Sequence, residues 1–143
     1  MMWQYRQKQL PAGANLEQEL AKTVDALMAA GKKVYLVDDV PDFSFTPDRC
    51  QGRRWLATRP TICEMSAEED KKLYEEYVTS LENVVASRPA SKLLSVHRYF
   101  CDDSECGMTK GQQLLFRDRD HLNINGSRLA GTRLVADNPD LLP

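Results

Sequence analysis

The sequence predicts an α/β domain, read as part of a doubly wound one with a parallel sheet. Three observations lead there. Segments with helical apolar spacing are each followed by a short, β-branched apolar run. Helix–strand alternation of this kind implies parallel strands joined by right-handed crossovers. Only two such strands are evident, and a parallel sheet wants neighbours at both edges and cover on both faces. The C-terminal part of a larger sheet, with its first strands missing, is therefore the expected architecture. At 143 residues the chain fits a single domain. It reads as one partial domain over residues 1–143, with an irregular segment at 1–14 and a tail at 136–143.

The elements follow in order. In "ANLEQELAKTVDALMAAGKK", Leu16, Leu20, Val24, Leu27 and Met28 recur at helical spacing. Asn15 suits the N-cap, and Gly31 suits the left-handed residue that ends a helix. "KVYLVDDVP" reads as a buried strand stopped by Pro41. The stretch "PDFSFTPDRCQGRRWLATRPT" carries three prolines and no periodicity, which predicts a long excursion. "SAEEDKKLYEEYVTSLENVVASRPA" is the clearest helix. Ser66 and Glu69 form a capping box, Leu73, Tyr77, Leu81, Val84 and Val85 form the stripe, and Pro89 closes it. "KLLSVHRYF" predicts a second strand, and "CDDSECGMTKGQQLLF" a tight turn with a short hairpin. A last helix is expected from about Asn125 to Val135. On an α/β sheet the active groups gather at the carboxyl ends of the strands. The "DDVP" loop, the "HRYFC" loop and the turn at Asp118–His121 would share that side.

Composition excludes some classes. Nineteen basic and 21 acidic residues give a formal net charge of −2, which argues against nucleic acid as a partner. No apolar run approaches the ~18 residues of a spanning helix. The opening "MMWQYRQKQLPAG" lacks the apolar core of a signal peptide. No glycine-rich phosphate loop is present, and no cofactor is implied. The four cysteines, Cys50, Cys63, Cys101 and Cys106, do not show the paired C-x2-C knuckles of a zinc ribbon. They leave two readings open: local disulfides, 50 with 63 and 101 with 106, or four thiols packed as small apolar residues.

The chemical candidates are few. His97 and His121 are the two histidines, and histidine is the usual general base near neutral pH. Asp118 stands three residues before His121, so a carboxylate could hold Nδ1–H and leave Nε2 free to accept a proton. His97, inside an apolar run, reads as a hydrogen-bonded core or rim histidine. Ser44, Ser95 and Ser104 sit in neither a Gly-x-Ser-x-Gly elbow nor a Gly-Asp-Ser turn.

Three blocks in order, "GKKVYLVDDVPDFSFTPDRC", "RYFCDDSECGM" and "LLFRDRDHLNINGSRLAG", resemble the C-terminal half of an SGNH, or GDSL-type, domain. The closest group is the SGNH domains fused to bacterial membrane O-acetyltransferases of acyltransferase family three. Its final block is an Asp-x-x-His followed by Leu-Ser or Leu-Asn and a helix with small residues. Asp118, His121, Leu122, Asn123, Gly126 and Gly131 fit it. A cysteine pair flanking a short acidic loop is also typical there, which Cys101 and Cys106 match. The resemblance implies a flavodoxin-like fold, His121 as general base and Asp118 as its orienting partner. It implies an acetyl donor, a carbohydrate acceptor such as O-antigen, a membrane acyltransferase domain as companion, and a periplasmic location with disulfides. The family's Gly-Asp-Ser nucleophile and oxyanion-hole blocks are absent from these residues. The chain alone is thus expected to be inactive and, made alone, to stay reduced in the cytoplasm. The rival expectation is a non-enzymatic module that pairs with itself or a partner through an exposed strand edge.

Overall fold

The computed structural model describes residues 13–50 and 63–141. Helix α1 (Leu16–Ala29) starts at Asn15, whose side chain accepts from the Glu17 amide at 2.8 Å. It stops at Gly31, which holds φ at 73°, a conformation that costs glycine least. Strand β1 (Val34–Val37) follows. A 3-10 turn, Pro47–Arg49, lies in the excursion; residues 51–62, including Trp55, fall outside the described residues. Then come β2 (Glu64–Ser66), α2 (Ala67–Ala86), β3 (Ser91–Leu94), β4 (Glu105–Gly107), β5 (Thr109–Lys110), β6 (Gln113–Leu114) and α3 (Ile124–Asp137). No helix among the described residues is long and apolar enough to cross a membrane.

The chain divides into two compact units. In the first, residues up to Asp38 and from Lys72 to Ser95, β1 and β3 pair in parallel, Val34 opposite Ser91 through Val37 opposite Leu94. This is the parallel, crossover-connected pairing expected of an α/β domain. Val24 of α1, Val34 of β1 and Val84 of α2 are buried together, with Leu20, Ala21, Met28 and Leu36 packed around them. Arg88 grips Asp25 with two hydrogen bonds, of 2.7 and 2.9 Å. At the carboxyl end of β1, buried Asp38 accepts a hydrogen bond from Tyr74 at 2.5 Å. Burial first, and then Asp38 as its acceptor, push the Tyr74 phenol far above its ordinary range.

The second unit holds Asp39–Lys71 and Val96–Pro143. Here β2 and β4 pair antiparallel, Met65 opposite Cys106, and β5 and β6 form a two-stranded hairpin. Its core is aromatic and sulfur-rich: Phe43, Met65, Phe100, Cys106, Met108, Leu115 and Phe116. Phe116 sits at the centre, edge-on to Phe43 at 5.1 Å and to Phe100 at 5.3 Å. Such pairs contribute roughly 0.5–1.5 kcal/mol each beyond their buried area.

Two local expectations change. Strand β2 is absent from the sequence reading, because three residues are too few to show alternation and its partner lies about forty positions away. His97 lies not in a strand but in a 3-10 turn, His97–Tyr99, after β3 has ended at Leu94. A buried imidazole needs a hydrogen-bond partner, and the turn brings it to Asp70.

Candidate functional site

The Asp118–His121 turn is built from both of its ends. Phe116 and Leu122 form an isolated antiparallel bridge, and the Arg117 amide donates to the His121 carbonyl at 2.9 Å. The five residues between the bridge partners are therefore a closed loop. Asn123 then fixes the helix that follows. Its Oδ1 accepts from the Asn125 and Gly126 amides at 2.8 and 3.0 Å, and its Nδ2 donates to the Leu114 carbonyl at 2.9 Å. Gly126 makes this fit sterically possible. A Cβ there would lie 2.1 Å from the Leu115 carbonyl oxygen and 2.9 Å from Leu122 Cδ2. The family-like order Leu-Asn-x-x-Gly after the histidine is thus a cap and a close approach, each serving the turn.

Within the loop, Asp118 Oδ1 takes three donors. The His121 amide reaches it at 2.8 Å, the Asp120 amide at 3.2 Å, and His121 Nδ1 at 2.9 Å. Partial desolvation pushes the Asp118 carboxyl up. The Asp120 and His121 amides and the His121 ring more than reverse that, holding it at about 2. The carboxylate is therefore ionised at any physiological pH. Asp120 Oδ1 lies 3.1 Å from the same Nδ1, so two carboxylates face one ring nitrogen. Arg117 Nε stands 3.4 Å from the other Asp118 oxygen. The His121 side chain is 52% exposed. Among the described residues no hydroxyl hydrogen-bonds to its ring. Ser104, one of the discounted nucleophiles, donates instead to Asp102 at 2.7 Å.

A residue missed by sequence reasoning ties this turn to the excursion. Arg119 Nε donates to the Phe43 carbonyl at 2.6 Å, and the Phe43 amide donates to the Arg119 carbonyl at 3.0 Å. Arg119 Nη2 also lies 3.4 Å from Asp42. The "PDF" segment is held beside the histidine by this pairing. The Arg-Asp-Arg-Asp run before His121 offered no clear signal, since charges in a turn are usually solvated.

The cysteine expectations divide. Cys101 and Cys106 form a disulfide and face each other across an antiparallel bridge. The expected Cys50–Cys63 disulfide is not formed: both are thiols. Burial foremost, then a hydrogen bond with Cys63 and the nearby carboxylates, push the Cys50 thiol up to about 12. A thiol held protonated is a poor nucleophile for disulfide formation. His97 proves to be a core histidine, its Nε2 3.0 Å from Asp70 Oδ1. Among the described residues, two clusters gather metal-type donors: the half-buried Asp118 and Asp120 with exposed His121, and the more buried Asp70, His97, Cys101 and Cys106.

Helices packed with a parallel strand pair make this an α/β domain. Residues 2–136 match the family described as SGNH domain (fused to AT3 domains), so the chain belongs to that family. In it, the domain is joined to a membrane acyltransferase domain. No curated protein and no solved structure matches the chain.

Proposed function

We propose that the chain carries the base half of a serine acyl-transfer site, which moves an acetyl group onto, or off, a hydroxyl of a cell-surface polysaccharide such as O-antigen. His121 is the general base and Asp118 its orienting partner. The observation that carries this reading is the 2.9 Å contact of His121 Nδ1 with an ionised Asp118, on a ring half open to solvent. With Nδ1–H held there, Nε2 takes the proton of an attacking serine Oγ, and the imidazolium that forms is stabilised by the carboxylate. The proton then passes to the leaving group. The serine and the oxyanion donors come from a Gly-Asp-Ser segment outside these residues, since no Gly-Asp-Ser occurs among them. The chain is accordingly the C-terminal part of its domain, works beside a membrane acyltransferase on the periplasmic face, and is inactive by itself.

The test uses a protein in which this domain is joined to its serine block and membrane portion. His121→Ala is expected to abolish acetylation, and Asp118→Asn/Asp120→Asn, which takes both carboxylates from Nδ1, to lower it by about 10⁴-fold by favouring the wrong tautomer. Persistent acetylation in His121→Ala overturns the assignment.

A second reading, an interaction module, is favoured by the β1–β3 pair, which has no further strand beside it among the described residues and where Val37 is exposed. Unpaired strand edges recruit other strands. Light scattering on the purified chain separates the two: a concentration-independent monomer counts against edge pairing.

A further inference from the structure

We propose that Asp70, His97, Cys101 and Cys106 form a zinc site that becomes available when the Cys101–Cys106 disulfide is reduced. The four come from three places in the second unit: the first turn of α2, the 3-10 turn after β3, and the β4 hairpin. His97 Nε2 lies 3.0 Å from Asp70 Oδ1 and 3.8 Å from Cys101 Sγ. One ligand atom from each of the four falls within 4.8 Å of every other. Asp70, His97 and Cys106 are buried. One imidazole nitrogen, one carboxylate oxygen and two thiolates make a donor set that zinc accepts in a tetrahedral site. The run His97-x3-Cys101-x4-Cys106 has the short spacing that lets neighbouring ligands converge.

The disulfide need not hold the hairpin shut. The Asp102 amide donates to the Glu105 carbonyl at 2.8 Å, and the Gly107 amide to the Phe100 carbonyl at 2.9 Å. The Asp102 carboxylate caps the loop by accepting from the Ser104 and Glu105 amides at 2.8 and 3.0 Å. The backbone at both cysteines therefore keeps its place when the S–S bond breaks, and the two side chains turn apart so that each sulfur can reach one metal ion. A cleft of about 340 Å³, lined by Cys101, Asp102, Glu105 and Gly107 among others, reaches Cys101, while Cys106 lies buried behind it. The chemistry balances. A dithiol reductant gives two electrons and two protons to the S–S bond and becomes a disulfide itself. Zinc then displaces the two thiol protons, and the occupied site carries a net charge of −1, from two thiolates and one carboxylate against Zn²⁺. In an oxidising compartment the same atoms stay as the disulfide. The proposal stands independently of the acyl-transfer reading.

The test uses the purified chain, oxidised or reduced with a dithiol under nitrogen, then given zinc sulfate and gel-filtered. The reduced chain is expected to retain one zinc per molecule and the oxidised chain none. X-ray absorption at the zinc edge should show two sulfurs at about 2.3 Å and two nitrogen or oxygen ligands at about 2.0 Å. The Cys50→Ser/Cys63→Ser variant should keep the metal, and Cys101→Ser/Cys106→Ser should lose it. Absence of stoichiometric zinc in the reduced chain overturns the proposal. So does a sulfur number other than two in the unmodified protein, which holds even if the second variant fails to fold, or loss of the metal in the first.

Discussion

Asp118 illustrates how much a single residue's surroundings can decide. Its carboxyl is exposed, yet it stays ionised down to about pH 2 because amides and a ring nitrogen converge on one oxygen. Its ordinary value is 3.8. A carboxyl depressed on folding stabilises the native state fully above its unfolded value, and that contribution fades as pH falls from about 4 to about 2. Carbon-detected NMR titration should therefore place the Asp118 midpoint near 2, and a midpoint near 3.8 would contradict the hydrogen-bonding described. The Asp–His pair was legible in the sequence from spacing and resemblance together. Asp120 as a second carboxylate on the same nitrogen was not, because adjacent acidic residues in a turn are usually only solvated. Nor was Asp70 as the partner of His97, which depends on a contact across 27 positions.

Elements explain why the turn keeps its shape. Helix α3 approaches the Leu115–Leu122 segment so closely that only glycine fits at 126. Gly126→Ala should destabilise by roughly 1–3 kcal/mol through overpacking, read as a lower urea midpoint, with His121 amide shifts displaced by NMR. An unchanged midpoint would mean that the helix has room to move. Tyr74→Phe makes the matching statement for the first unit. It leaves a buried Asp38 carboxylate without the phenol donor and should cost about 1–3 kcal/mol. Helices α1 and α2 were legible because fourteen and twenty residues carry repeated apolar spacing and caps. Of the strands of two and three residues in the second unit, β4, β5 and β6 were legible only as a turn with a short hairpin, and β2 not at all, since segments this short carry no local pattern.

Across the whole molecule, each compact unit has its own core, and the candidate site is assembled within one of them. The bonds that orient His121 come from Asp118 and Asp120, and those that seat the turn come from Phe43, Leu114, Leu115 and Asn123. All lie in the second unit. On the proposed reading, His121 is set as a proton acceptor before any nucleophile arrives, which is the preorganisation that acyl transfer needs. Its orientation must therefore be measurable in this chain by itself. Nitrogen-15 NMR of the neutral His121 ring reads it directly. The account predicts the Nδ1–H tautomer, converted towards Nε2–H in Asp118→Asn/Asp120→Asn. A neutral His121 that already carries its proton on Nε2 would contradict it.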